Sequence, residues 1–194
     1  METKFFTGKG DSGESRVGDK TVSKSDVLID FLGGLDEINS WLGFCRAEAE
    51  KTFKTKEDEL ISVPDTIKEI QNSLFIIQAE VAACGFGSGA SGATAPVLKE
   101  DKTREIEEVI KKIDSVLPKI DKFVISNGSE LASRLDVART IARRVERQAK
   151  NYSEEKKLPS NLLQFLNRLS SVLFALARYV NFKLGFQEEH PTYS

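Results

Sequence analysis

Residues 160–185 read SNLLQFLNRLSSVLFALARYVNFKLG. Leu162, Leu166, Leu169, Leu173, Leu176 and Val180 recur there at alternating steps of four and three. That spacing lays one apolar seam along a helix with 3.6 residues per turn, and the seam must be buried against a neighbour. Ser160-Asn161 is placed to open the helix and Gly185 to close it. Beside the seam runs a second, mostly polar row: Asn167, Ser171, Phe174, Arg178 and Asn181. Asn and Arg repeated on a flank that meets a neighbour suggest a buried polar site or a subunit interface.

The same spacing occurs four more times upstream. The sets are Leu28, Phe31, Leu35, Ile38, Leu42, Cys45 and Ala49; Ile67, Ile70, Leu74, Ile77 and Val81; Ile106, Val109, Ile113, Val116 and Ile120; and Leu131, Leu135, Ala138, Ala142 and Val145. Ser62-Val63-Pro64-Asp65 is a start signal for the second helix and Ser129-Glu130 for the fourth. Pro118 should end or kink the third. Gly33-Gly34 interrupts the first, so that helix bends or something packs close to its backbone. No strand pattern competes. The expectation is an all-α, up-and-down bundle of five helices over residues 25–186, preceded by a flexible loop at 1–24 and followed by a tail at 187–194.

The composition narrows the function. The chain has 194 residues and a formal net charge of -2, so no global field draws in nucleic acid or a membrane surface. Its 2 Cys and 1 His (Cys45, Cys84 and His190) argue against a disulfide framework, a Cys- or His-ligated metal site and a Ser/His/Asp triad. With no membrane-length apolar run and no signal-peptide core at the N-terminus, a cytoplasmic setting is expected. The linker at 84–102 contains Gly87-Ser88-Gly89-Ala90-Ser91-Gly92, a literal GxGxxG. A helix precedes it and Ala93-Thr94-Ala95-Pro96 follows it, so the strand–turn–helix context of a dinucleotide fold is missing.

Two regions carry chemistry. In Thr7-Gly8-Lys9-Gly10-Asp11-Ser12-Gly13-Glu14-Ser15, glycines let backbone N–H groups converge on phosphate oxygens, while Lys9 adds charge and Thr7 and Ser15 add hydroxyls. On the fourth helix, Arg139, Arg143 and Glu146 share one face at i, i+4, i+7, and Arg147 continues it. Like charges at that spacing repel, and an anionic ligand would offset the cost. Asp36 and Asn39 share a face of the first helix off the core, where Asp36 could neutralise an arginine.

In order along the chain, these pieces resemble the PduO-type ATP:cob(I)alamin adenosyltransferases. The resemblance rests on Phe6-Thr7 with Gly10-Asp11-Ser12-Gly13, Lys24, Leu35-Asp36-Glu37-Ile38-Asn39-Ser40 and Phe123-Val124-Ile125. Most specific are Ala138 to Arg147 (ARTIARRVER), then Phe165 to Ser170 (FLNRLS) and Leu173 to Arg178 (LFALAR). It implies transfer of the 5′-deoxyadenosyl group of ATP to the cobalt of cob(I)alamin, giving adenosylcobalamin and triphosphate, with Mg²⁺ accompanying the nucleotide. It also implies a homotrimer with active sites between subunits, fed by a cob(II)alamin reductase and serving an adenosylcobalamin-dependent enzyme. Thr7, Gly8, Lys9, Gly10, Asp11, Gly13, Ser15 and Lys24 would belong to the nucleotide site. Arg143 would contact phosphate, Asn167 would help bind ATP, and Glu146 and Arg144 would organise the pocket. Asp36 would pair with Arg139 across the interface, and Phe123 would face the lower side of the corrin.

The chain departs from that pattern at Ser126-Asn127-Gly128-Ser129, where the family has Leu-Pro-Gly-Gly, and at Asp136, where it has His. Ser171 likewise replaces Asp. These changes bear on the corrin side more than on ATP. The alternative reading is a non-catalytic corrinoid- or nucleotide-binding carrier or sensor on the same trimeric bundle.

Overall fold

The structure is a computed structural model and describes residues 5–6, 8–54, 60–86 and 95–193. Five helices carry the fold: α1 (Val27–Thr52), α2 (Val63–Phe86), α3 (Glu100–Asp114), α4 (Glu130–Glu155) and α5 (Ser160–Lys183). α4 packs on both α1 and α5, α2 on α1, and α3 on α5. The apolar rows of the sequence meet in one core, with Phe31, Leu35, Leu42, Leu74, Leu135, Phe165, Leu166 and Leu173 fully buried.

Capping explains most of the boundaries. Asp26 accepts a hydrogen bond from the Leu28 amide (2.8 Å) at the start of α1, and Ser129 accepts one from Ala132 (3.2 Å) at the start of α4. Ser62 Oγ accepts from the Asp65 amide (3.3 Å) beside the start of α2. At α5 the expectation shifts by one residue: Pro159 holds the cap position with no side-chain bond, and Ser160 is already helical. Gly185, at φ +75°, takes the left-handed conformation that ends α5. Next to the linker, the buried Glu80 carboxylate accepts from the Leu98 amide (2.8 Å), and the Asn161 amide donates to Leu98 O. The Gly-rich hexapeptide at 87–92 lies outside the described residues.

Three expectations need correction. First, the N-terminal region is not all loop: β1 (Glu14–Val17) and β2 (Lys20–Ser23) pair antiparallel, with Val17 opposite Lys20. Gly18 at φ +58° and Asp19 form the two-residue turn, a Gly-Asp hairpin signal too short to register as periodicity. Second, α3 stops at Asp114, so Val116 and Ile120 leave the seam and are exposed. Pro118 disfavours helical backbone at the residue before it, and the i→i−3 bond from Val116 N–H to Ile113 O (3.1 Å) tightens the chain into a turn just past the helix end. Third, Asn39 is buried with its side-chain oxygen unpartnered, while its expected face-mate Asp36 is exposed.

At Gly33-Gly34 the structure favours close packing over a bend. A Cβ on Gly34 would overlap Gln148 Oε1 and lie 3.2 Å from Val145 Cγ2, so this glycine lets α4 approach the α1 backbone. Gly33 faces open space.

Candidate active site

Two grooves flank α4. The first, of about 440 Å³, is lined by Ile120, Lys122, Phe123, Val124, Arg139, Arg143, Ser170, Ser171 and Phe174. α4 contributes the arginines because a four-residue step returns each to the same face. α5 contributes Ser171 and Phe174 from its polar row, and the segment after α3 supplies Phe123. That ring is 79% exposed, which rules out the role of an ordinary core phenylalanine. Arg139 is held on one side by Asp136 (Nε to Oδ1, 3.0 Å) and lies 5.9 Å from the Phe174 ring centroid. Arg143 is exposed toward solvent. Three cations and four apolar side chains in one opening suit a ligand with both an anionic part and a broad apolar face.

One turn along α4, Glu146 accepts a hydrogen bond from Asn167 Nδ2 on α5 (2.7 Å). Arg168 donates to Asn167 Oδ1 (2.6 Å) and pairs with Glu107 (2.8 Å). Glu146 and Asn167, each named separately as a nucleotide-site residue, are thus hydrogen-bonded to one another beside the arginine face.

The second groove, of about 580 Å³, lies on the α1 side and is lined by Lys24, Ser25, Ile29, Asp30, Gly33, Gly34, Glu37, Arg144 and Gln148. Arg144 pairs with Glu37 across the α1–α4 contact, and Gln148 Nε2 donates to Asp30 O (3.2 Å). The N-terminal turn leads into this groove. Lys24 Nζ donates to Gly10 O (2.7 Å), and Lys24 N–H donates to Gly13 O (2.9 Å). Gly8 and Gly13 sit at φ +69° and +83°, and the Asp11 and Gly13 amides close tight turns onto Gly8 O and Gly10 O. Gly8, Gly10, Asp11 and Gly13 thus form one compact element with Lys24. Lys9 is exposed on the same turn, and Ser15 enters β1. Thr7 lies outside the described residues.

The expected partner of Arg139, Asp36, is one from a neighbouring copy, and within one chain the two stand apart. Asp36 lines neither groove, and the carboxylate beside Arg139 is Asp136. Two members of the polar row on α5 serve the scaffold: Arg178 pairs with Glu188, and Asn181 holds Asn127 O (2.8 Å) and the Ser129 amide (2.9 Å). Sequence reasoning marks Asp136 only as a departure from the family pattern and does not single out Gln148 or Lys122. Asp136 was detectable as the i, i+3 partner of Arg139, and Gln148 as the i+4 neighbour of Arg144. Nothing in the pattern marked Lys122. Among the described residues no group of three or more His, Cys, Asp or Glu could hold a metal ion, and no helix is long and apolar enough to cross a membrane.

The family model for cobalamin adenosyltransferase matches residues 5–180, which takes in both grooves. The chain belongs to the cobalamin adenosyltransferase family. Within it, the chain is 30% identical over 189 residues to the corrinoid adenosyltransferase of Bacillus subtilis, covering 94% of this chain and 89% of that protein. It is also 30% identical to the human corrinoid adenosyltransferase MMAB, covering 96% of this chain and 72% of the relative. The fold matches a variant PduO-type ATP:corrinoid adenosyltransferase from Lactobacillus reuteri complexed with cobalamin and ATP, at a TM-score of 0.83 and 31% identity over 98% of this chain and 97% of that one.

Proposed function

We propose that the arginine groove and the Lys24 groove are the two halves of a corrinoid adenosyltransferase site. The enzyme transfers the 5′-deoxyadenosyl group of ATP to the cobalt of cob(I)alamin. The observation that carries the assignment is the meeting of Arg139, Arg143 and the exposed Phe123 ring in one opening.

The reduced corrinoid is itself a strong nucleophile, so the protein needs no activated Ser or Cys and no general-base His. Cobalt attacks C5′, a Co–C bond forms, and the C5′–O bond breaks with its electron pair leaving on triphosphate. The chain's task is to align C5′ with cobalt and to stabilise the departing anion. Arg143 and Lys122 suit the anion, with Arg139 fixed beside them by Asp136. The Gly8–Gly13 turn and Lys24 suit the rest of the triphosphate. Mg²⁺ fits as a counter-ion carried mainly by the phosphates, since it keeps several waters and demands few protein ligands. Phe123 offers an apolar surface to the lower corrin face, excluding water and the lower base there.

The two grooves share no lining residue and open on different faces of α4. This supports a trimer in which the N-terminal turn of one copy meets the arginine groove of the next, with Asp36 reaching Arg139 of its neighbour. A cytoplasmic setting and an external reductase for cobalt belong to the same reading.

The test mixes protein, Mg²⁺-ATP and chemically reduced cobalamin and follows the absorbance change to adenosylcobalamin. Turnover is expected. ATP and corrinoid binding without Co–C bond formation would make the chain a carrier instead.

A further inference from the structure

The segment between α3 and α4 spans residues 115–129 with neither helix nor strand, yet Phe123 stands at a defined place on the groove. A structureless stretch of that length needs tethers to hold a position. Two of them come from beyond α5, at Phe123 and its near neighbour. His190 Nδ1 lies 2.9 Å from Phe123 O, and because a carbonyl only accepts, His190 must carry its proton on Nδ1 and donate. The Ile125 amide donates to Glu189 O (2.8 Å). The tail is itself fixed by Arg178, which is 7% exposed: its guanidinium pairs with Glu188 through both Nε and Nη2, the latter at 3.1 Å from Oε2. Arg178 Nη2 also donates to Pro118 O (2.9 Å), so one buried arginine ties the beginning of the segment to the tail.

We propose that Glu188 and His190 are positioning residues for Phe123: the tail is a clip, locked by Arg178, that fixes the ring over the corrin-facing groove. This rests on the reading of Phe123 given above. Neither residue lines the arginine groove, so both act through the backbone they hold. A charge pair with a buried arginine suits such a lock, because breaking it leaves Arg178 without its carboxylate. The exposed His190 bond sets the carbonyl of Phe123 itself, and through it the direction of the ring.

The experiment compares full-length Phe123→Ala, Glu188→Ala, His190→Ala and His190→Asn, each saturated with Mg²⁺-ATP and mixed with cob(II)alamin. Electron paramagnetic resonance reads the fraction of cobalt that is four-coordinate. ATP affinity, the melting temperature and turnover from pre-reduced cob(I)alamin are measured alongside. Expected is at least a threefold loss of four-coordinate signal in Phe123→Ala, Glu188→Ala and His190→Ala, with ATP affinity within twofold of wild type. His190→Asn should recover most of the signal, because its amide can donate from nearly the place of Nδ1–H. Should Glu188→Ala unfold, the exposed His190 variants still decide the question. Loss of signal in Phe123→Ala with wild-type signal in the His190→Ala protein overturns the clip and leaves the reading of Phe123 standing. Wild-type signal in Phe123→Ala overturns both.

Discussion

Gly33 and Gly34 are adjacent, lie inside the same helix and face different surroundings, so alanine at each isolates packing from propensity. Each glycine costs about 1 kcal/mol relative to Ala in a helix interior. At Gly33 an added Cβ meets nothing within 4 Å, so Gly33→Ala should stabilise by about 0.5–1 kcal/mol. At Gly34 the same gain is opposed twice. Gln148 must swing away and lose its bond to Asp30 O, about 1 kcal/mol. Val145 is fully buried at 3.2 Å and can yield only by opening the α1–α4 contact, about 1–3 kcal/mol of overpacking. Gly34→Ala should therefore be net destabilised by about 1–3 kcal/mol. Urea denaturation followed by far-ultraviolet circular dichroism measures both, and equal midpoints would refute the packing argument. The pair also tests the site. Gly33 lines the Lys24 groove, so its new methyl should weaken ATP binding several-fold in a protein that has become more stable. A stabilised Gly33→Ala enzyme with unchanged ATP affinity would remove that groove from the nucleotide site.

Phe123→Ala should melt close to wild type, within about 1 kcal/mol, because most of the ring is already in water, whereas a buried Phe→Ala change costs about 3–5 kcal/mol. A core-sized loss in calorimetry would contradict the groove assignment. Arg143→Ala should weaken ATP binding or slow turnover by about 2 kcal/mol while leaving the fold intact, since it removes a charge-assisted bond to an anion. Unchanged titration calorimetry and an unchanged rate would sink its role. In the native protein at pH 8, a thiol reagent should label the exposed Cys84 and spare Cys45, whose pKa burial pushes up to about 12. The native thiol then keeps its proton where the unfolded one loses it, so this group's contribution to stability is complete below pH 9.0 and falls away as pH rises toward 12. A Cys45→Ala variant losing stability just as steeply over that range would assign the effect elsewhere.

The helices and the arginine face were legible in the sequence because both are local. A seam at three- and four-residue steps must face inward whichever helix it meets, and Arg139, Arg143 and Glu146 share a face of α4 by helical geometry alone. That Arg144 sits about a quarter-turn away from Arg143 was equally readable. What lies on each side of α4 was not. Only packing sets Glu37 beside Arg144, and Phe123 and Phe174 beside Arg143. The same limit turned a polar row on α5 into two unlike halves. Ser171 and Phe174 line the groove and Asn167 bonds Glu146, while Arg178 and Asn181 hold the tail and the segment before α4. Arg and Asn serve ligands and backbone carbonyls with the same donors, so a one-dimensional pattern shows that a partner is needed without saying which. The hairpin at 14–23 and the clip at 188–190 depend on a few hydrogen bonds in short segments with no apolar period. The bundle and the basic face follow from local spacing, whereas the neighbours that make that face a groove come from contacts distant along the chain, which leave no periodic trace in it.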